Sequence, residues 1–171
     1  PHTYKYKNSN VEALNSLINK TRAQGQTRLS MFKWACFNAI VGNGDAHLKN
    51  LSFFIEKEVV TLAPHYDLLS TAIYEDAGKH MDHELSQPMG EAKCLADLTR
   101  YDVLAFASDL GVPLKLAEAE LDKLLKCITP HATTLIESVK ALPNFVGKPG
   151  ELRMLNEIFY NCIREVGGKL G

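Results

Sequence analysis

Three polar side chains in the first half of the chain have the types and the spacing that suit a metal ion bearing phosphates. Asp45 and Asn50 lie five residues apart, and Asp67 follows after a largely apolar stretch. Carboxylate and amide oxygens are the ligands that magnesium takes in nucleotide sites, where substrate phosphates complete its coordination. Lys49 adds a positive charge next to Asn50. These residue types predict a site for magnesium and phosphate.

A β-hairpin predicted between Asn50 and Asp67 brings their side chains together. Residues 51–55 are rich in strand formers, and residues 59–62 form the return strand after a polar turn. Paired strands lie about 4.8 Å apart, so residues that flank the two outer ends of a hairpin should lie side by side. Asp45, on the loop that leads into the hairpin, can face the same space.

Such an arrangement can carry out phosphoryl transfer. That reaction needs a carboxylate to orient the attacking hydroxyl, further oxygen ligands for the metal, and a cation to offset the charge of the transferred group. An Asn-Gly-Asp run by itself is an ordinary turn. Here Lys49 and Asn50 follow the run before the predicted hairpin, and Tyr66 and Asp67 stand after it, which favours the functional interpretation.

The same segments resemble the HipA-like kinases. The carboxy-terminal domain of that family reads G-N-x-D-x-H-x-K-N-x-S and then A-P-x-Y-D-[LI]-[LIV]-S. Residues 42–52 and 63–70 match every fixed position of these two patterns, and residues 84–90 also look like the family. The helical remainder is compatible, so the resemblance extends over nearly the whole chain.

The resemblance implies a role for each polar residue of the site. Asp45 would be the catalytic base, and Asn50 and Asp67 would be the magnesium ligands. Lys49 would contact a phosphate or the substrate hydroxyl. His47 would belong to the nucleotide site as a residue that braces the loop by hydrogen bonding.

For the protein, the resemblance implies a serine/threonine kinase that uses ATP and magnesium and acts as the toxin of a toxin–antitoxin pair. A protein substrate, a DNA-binding antitoxin partner and a cytoplasmic location follow from it. Family kinases carry a nucleotide-gripping loop and a phosphate-binding lysine in a preceding lobe. About forty residues precede Asp45, and they hold neither feature. We therefore expect residues 1–171 to be one carboxy-terminal kinase lobe without its ATP-gripping lobe, and inactive alone.

Two other functional classes stay open. Small-molecule kinases of the aminoglycoside/choline type carry H-G-D-x-H-x-x-N, which differs from this chain at Asn43. A non-catalytic binding module is the second alternative. The run 80–83 contains two histidines, but it lacks further ligands for a tetrahedral metal site, so we expect it to be solvated or to face substrate.

Composition limits the remaining possibilities. The chain has 171 residues, 46% of them hydrophobic and 23% charged, which is typical of one globular domain. A net charge of -1 gives no basic field for nucleic acid, and no apolar run approaches the ~20 residues of a membrane span. Cys36, Cys127 and Cys162 stand among apolar neighbours and are predicted to be buried free thiols.

The fold predicted from these patterns is mainly α: a protein-kinase-like carboxy-terminal lobe, built as a helical bundle with one small β-hairpin carrying the catalytic loop. Residues 1–10 are expected to be extended, with Asn10 capping the first helix, and residues 65–95 to be rich in loops. The predicted helices cover 11–20, a central buried 27–41, 99–110, a segment from Pro113, a separate segment through Leu135 to Pro143, and 150–166 before Gly167.

Overall fold

The structure, a computed structural model, describes residues 11–75 and 78–171. The predicted extended segment 1–10 and its Asn10 cap lie outside these ranges. The α-helices of the described residues are α1 (Val11–Ile18), α2 (Gln24–Ile40), α3 (Arg100–Asp109), α4 (Leu114–Ala141), α5 (Lys148–Glu157) and α6 (Glu165–Leu170). The strands are β1 (Phe53–Glu56), β2 (Val59–Leu62), β3 (Glu84–Met89) and β4 (Ala92–Cys94).

Helix α2 is the centre of the molecule. Its apolar residues point in nearly all directions, and Phe32, Trp34 and Ile40 are all buried. The helix contacts α1, α3, α4, α6 and β3. Helices that are apolar all round belong in the interior, so the predicted central helix is confirmed, with its first residue three positions earlier than expected.

The first hairpin is confirmed. Strands β1 and β2 pair antiparallel, with Phe53 opposite Leu62 and Glu56 opposite Val59. The two turn residues, Lys57 and Glu58, both have positive φ, 46° and 69°, as a two-residue hairpin turn requires. The first strand begins at Phe53, later than predicted, because a 3-10 turn (Leu48–Asn50) precedes it.

A second antiparallel hairpin, β3 paired with β4, corrects the expectation of a single hairpin and of a loop-rich 65–95. The stretch contains Pro88 and Gly90, residue types that disfavour regular strands. In the fold Pro88 lies in a strand whose pairing is irregular between Glu84 and Met89, which is where sheets tolerate proline. Gly90 makes the turn with φ of 55°.

Helix α4 runs unbroken for 28 residues, so the prediction of two separate helices here is wrong. Proline inside a helix removes a backbone hydrogen bond and clashes with the preceding turn, at a cost of about 3 kcal/mol. Pro130 faces solvent, while Ile128 and Ile136 are buried on the opposite side. Packing of α4 on α2, α3 and α5 outweighs the local penalty.

The last predicted helix, 150–166, is divided and longer than expected. A π-helical segment, Ile158–Arg164, joins α5 to α6. Gly167 and Gly168, expected to end the helix, lie inside α6. Leu170 is fully buried, and its carbonyl accepts a hydrogen bond of 2.9 Å from Arg100. These tertiary contacts keep α6 helical through the two glycines.

The cysteines are free thiols, but one of the three predicted burials is wrong. Cys36 and Cys162 are buried, whereas Cys127 is exposed on the solvent side of α4. Burial raises the pKa of the Cys36 thiol, and it raises that of Cys162 against an opposing hydrogen bond with Ser70. Within residues 11–75 and 78–171, no helix is both long and apolar enough to cross a bilayer.

Asp102 joins the second hairpin to α3. Its Oδ1 accepts from the Glu91 N–H at 3.1 Å, and its Oδ2 accepts from the Thr99 N–H at 3.0 Å. The Thr99 hydroxyl oxygen in turn accepts from the Asp102 N–H, which completes a capping box. Burial favours a raised pKa for Asp102, but the hydrogen bonds from Thr99 and Glu91 to its carboxylate prevail and lower it.

We predict that Asp102→Asn lowers the free energy of unfolding at pH 7 by about 1–3 kcal/mol, because the amide NH2 that replaces one carboxylate oxygen would face a backbone N–H donor in place of an acceptor. A lowered folded-state pKa stabilises the fold above the unfolded pKa of about 3.9, and that contribution is lost as pH falls through the folded value. Urea unfolding at pH 7, 5 and 3 should therefore show the difference shrinking only at the lowest pH. Asp109→Asn, at an exposed position of the same helix, is the control; a difference that grows on acidification would contradict the assignment.

Candidate active site

The loop that follows α2 carries Asp45 and is bonded near its start, at Gly42, to the segment after the first hairpin. Gly42 turns the chain with φ of 70°. A Cβ at Gly42 would lie 2.8 Å from both the Ala72 Cβ and the Cys162 Sγ, so this turn requires glycine. The carbonyl of Gly42 accepts from the N–H groups of Thr71 and Ala72, each at 2.9 Å. The loop before Asp45 is thereby bonded to the segment after the first hairpin.

Asn43 connects α2 to both candidate carboxylate residues. Its side-chain Nδ2 donates to Asn38 Oδ1 at 2.8 Å and to the backbone carbonyl of Asp67 at 3.2 Å. Its Oδ1 accepts from the Asp45 N–H at 3.0 Å. Asn43 is 3% exposed, and Asn38, itself fully buried, donates to the Trp34 carbonyl. One buried amide thus positions the backbone at Asp45 and at Asp67.

Asn50 and Asp67 lie side by side, as the hairpin predicted. Asn50 Nδ2 donates to Asp67 Oδ2 at 2.9 Å and to the backbone carbonyl of Asp45 at 3.1 Å. Asp67 has φ of 56°, an uncommon conformation for a residue other than glycine, although aspartate tolerates it better than most. Such a conformation costs about 1–3 kcal/mol and persists where surrounding contacts hold it, here the bonds from Asn43 and Asn50.

The donor set fits magnesium on one condition. The amide nitrogen of Asn50 faces the Asp67 carboxylate. For both residues to bind one cation, the amide must turn so that its oxygen faces the metal. The amide oxygen and nitrogen are told apart by their hydrogen-bond partners. Within 11–75 and 78–171, no three His, Cys, Asp or Glu side chains cluster as a metal cage. Magnesium typically takes one or two protein ligands, with phosphate and water oxygens around it.

The other predicted site residues surround this pair. The Asp45 side chain is 43% exposed, and its Oδ1 lies 3.8 Å from His47 Nε2. That separation exceeds a hydrogen bond, and His47 Nδ1 is buried without a hydrogen-bond partner among the described residues. The prediction that the His47 side chain braces the loop by hydrogen bonding is therefore wrong; the structure instead buries this residue, at 8% exposure. Lys49 is exposed, and its carbonyl accepts from the Tyr66 hydroxyl at 2.9 Å.

The run 80–83 is only partly solvated: Asp82 is exposed, as predicted, whereas the two histidines are half-buried and hydrogen-bonded. His83 Nε2 lies 2.8 Å from Thr71 Oγ1, and His83 Nδ1 lies 2.8 Å from Glu75 Oε1. His80 Nδ1 lies 2.9 Å from the Ala72 carbonyl. Both histidines bind the segment that follows the first hairpin. The hydrogen-bond partners of these histidines lie eight to twelve residues away in sequence, so no local sequence pattern indicates the contacts.

Further supporting residues escaped prediction. Gln87 of β3 is 1% exposed and donates through Nε2 to the Ala46 carbonyl at 2.7 Å. Thr71 Oγ1 accepts from the Gly44 N–H at 2.8 Å. Of the supporting residues, only Asn43 could have been identified from the sequence, because it occupies a fixed position of the family pattern. The contact of Gln87 depends on the second hairpin, which the sequence did not predict.

We predict that Asn43→Ala lowers the free energy of unfolding by about 1–3 kcal/mol, because it leaves buried groups of Asn38 and Asp45 without their hydrogen bonds. Chemical denaturation measures the change. Asn144→Ala, an exposed loop substitution, is the matched control and should stay within about 0.5 kcal/mol of the parent. Equal unfolding free energies for the two variants would show that the Asn43 network does not stabilise the site.

Comparisons with known proteins identify relatives of this chain. The model of the HipA-like C-terminal domain matches residues 1–132. The serine/threonine-protein kinase toxin HipA of Shewanella oneidensis is 33% identical over 128 residues, 75% of this chain and 28% of that protein. Y4mE of Sinorhizobium fredii, named as a candidate kinase, is 31% identical over 114 residues, 67% of this chain and 26% of that protein.

A solved structure of Shewanella oneidensis HipA, in complex with HipB and operator DNA, superimposes with a TM-score of 0.73 at 25% identity. The match covers 95% of this chain and 38% of that one. The chain thus spans about a quarter of the length of the curated relatives that it matches, 28% of one and 26% of the other. The family model, the sequence relatives and the shared fold together show that this chain belongs to the HipA-like C-terminal domain family.

Proposed function

We propose that this chain is the carboxy-terminal catalytic lobe of a HipA-like serine/threonine protein kinase, which transfers the γ-phosphate of ATP to a protein hydroxyl. The observation that carries the proposal is the position of Asn50, whose Nδ2 bonds both the Asp45 carbonyl at 3.1 Å and Asp67 Oδ2 at 2.9 Å. A candidate base and two candidate metal ligands are thereby held together. The kinase names of the relatives support the same function.

Each residue then has a role that its environment allows. The exposed Asp45 carboxylate orients the attacking hydroxyl and accepts its proton. Asn50 and Asp67 would hold magnesium, which when bound neutralises charge on the phosphates. Asn50 is 6% exposed and would turn its amide to present the oxygen to the metal, while Asp67 is exposed. The exposed Lys49 is available to a phosphate or to the acceptor.

The proposal includes a partner and a cellular setting. The Shewanella protein was solved with HipB and operator DNA, and we extend to this chain the role of a toxin with a DNA-binding antitoxin. With a net charge of -1, we place DNA contact on the antitoxin. The cytoplasmic location belongs to the same proposal, and the four free cysteines suit a reducing compartment.

We predict different responses to magnesium from the two carboxylate variants, each made in the full-length protein that contains these residues. Asp45→Asn should lower ATP turnover by about 10²–10⁴-fold at every magnesium concentration, because the lost group acts on the acceptor. Asp67→Asn should be similarly damaging but partly restored by added magnesium, because it weakens a metal ligand. ADP release at rising magnesium concentrations measures both.

Glu137→Gln, an exposed substitution on α4, should leave turnover unchanged. Equal rescue of both carboxylate variants by magnesium, or rescue of neither, would show that the two roles are misassigned. Stimulation of ADP release by an aminoglycoside or by choline, with no protein acceptor, would instead favour a small-molecule kinase.

Metal binding has a readout that does not depend on activity. Manganese prefers oxygen ligands, as magnesium does, and its paramagnetism broadens nearby NMR signals. Manganese titrated into this chain should first broaden the Asn50 side-chain amide and the backbone amides around Asp67. Asp67→Asn should abolish that selectivity, whereas Asp82→Asn, an exposed carboxylate substitution, should preserve it. Broadening that starts elsewhere would contradict the assigned ligands.

A further inference from the structure

A series of three hydrogen bonds ends on the candidate catalytic loop. Glu75 Oε1 lies 2.8 Å from His83 Nδ1, and His83 Nε2 lies 2.8 Å from Thr71 Oγ1. Thr71 Oγ1 accepts from the backbone N–H of Gly44 at 2.8 Å. Gly44 immediately precedes Asp45, so a carboxylate, an imidazole and a hydroxyl act in sequence on the residue next to the proposed base.

The proton positions in this series follow from the donors and acceptors present. A carboxylate only accepts, so His83 Nδ1 carries a hydrogen that it donates to Glu75. In a neutral ring Nε2 is then the acceptor, and the Thr71 hydroxyl donates to it. The Thr71 oxygen remains free to accept from the Gly44 N–H. One arrangement of hydrogens satisfies every group.

If the His83 ring carried a hydrogen on both nitrogens, the hydrogen bond between His83 and Thr71 would reverse direction but would not be lost. His83 Nε2 would then donate to Thr71 Oγ1, and the hydroxyl could turn to the Gly42 carbonyl, 3.3 Å away. The Gly44 N–H keeps its acceptor in both cases. Three acidic residues, Glu75, Asp82 and Glu84, line one small recess together with Gly44 and His83.

The imidazole approaches the loop closely because residue 44 is glycine. A Cβ at Gly44 would lie 2.2 Å from His83 Nε2, far inside contact distance. The His83 side chain is 15% exposed, so the ring is packed against the loop. Position 44 is a variable position of the family pattern. The pairing of Gly44 with His83 is therefore a feature of this chain, not of the fixed motif.

We propose that Glu75, His83 and Thr71 form a positioning relay that sets the orientation of the catalytic loop at Asp45. The relay rests on the proposed kinase function, and none of its members is a catalytic residue. Thr71 also donates its N–H to the Gly42 carbonyl at 2.9 Å, so it holds the loop on both sides of Asn43. Displacing a reacting group by about 1 Å can cost on the order of a hundredfold in rate.

The tautomer of His83 tests the relay without any activity. NMR of the ¹⁵N-labelled chain should show His83 with its hydrogen on Nδ1, the less common tautomer of a free neutral imidazole. Glu75→Ala removes the acceptor of the Nδ1 hydrogen and should shift the ring toward the Nε2–H form, because the Thr71 oxygen can accept that hydrogen. Wild-type His83 in the Nε2–H form, or a tautomer that Glu75→Ala leaves unchanged, would overturn the relay.

A matched pair at Thr71 tests the consequence for the reaction. Thr71→Val keeps the shape and loses the hydroxyl, whereas Thr71→Ser keeps the hydroxyl. In the full-length protein, Thr71→Val should lower kcat for ATP turnover about 10- to 100-fold with little change in KM for magnesium–ATP, and Thr71→Ser should stay within about threefold of wild type. Hydrogen exchange at the Gly44 amide should speed up in Thr71→Val only.

The outcomes separate the relay from the function on which it rests. If wild type turns over ATP and Thr71→Val has the same kcat, the relay is overturned and the kinase proposal stands. Loss of kcat in Thr71→Ser as large as in Thr71→Val points to a merely structural threonine and also overturns it. Absence of magnesium-dependent turnover in wild type overturns the kinase function, and with it the catalytic purpose of the relay.

Discussion

The buried side-chain amide of Asn43 is the group on which the geometry of the candidate site depends. Its donor side reaches Asn38 on α2 and the carbonyl of Asp67, and its acceptor side reaches the N–H of Asp45. A buried amide with every partner in place is rigid, because each displaced bond would leave a polar group unpaired away from water. The central helix therefore dictates where the two carboxylate residues can be.

The two hairpins also hold the site in place. The first hairpin places Asn50 against Asp67, and the second hairpin supplies Gln87 to the Ala46 carbonyl. Asp67 remains in a left-handed conformation because bonds to its backbone and its side chain both favour that position. Strained residues that are held from several directions are typical of functional sites.

The helices supply rigidity more than chemistry. Helix α2 presents a buried face to nearly every other helix, and α4 covers it with a continuous 28-residue span. The predicted site residues all lie between α2 and the segment after the first hairpin. A polar loop with its own network of side-chain bonds, anchored on an apolar scaffold, leaves the carboxylate of Asp45 half-exposed and that of Asp67 exposed to solvent and ligand.

The sequence by itself determined the elements whose cause is local. Continuous apolar character predicted the buried α2, strand formers and a polar turn predicted the first hairpin, and the positions of Asn50 and Asp67 at its two ends predicted their contact. Tertiary structure decided the elements that local preferences oppose. The sequence did not predict the second hairpin, which contains Pro88 and Gly90, the unbroken α4, which contains Pro130, or the continuation of α6 through two glycines.

The same distinction applies within the site. Asp45, Asn50 and Asp67 could be found from residue type and spacing, because the hairpin that brings them together lies between them in sequence. The approach of His83 to Gly44, the bond from Gln87 to Ala46 and the orientation of the Asn50 amide could not. These depend on contacts between distant segments, whose free energy comes from packing and from the pairing of buried polar groups, and no short stretch of sequence contains both partners.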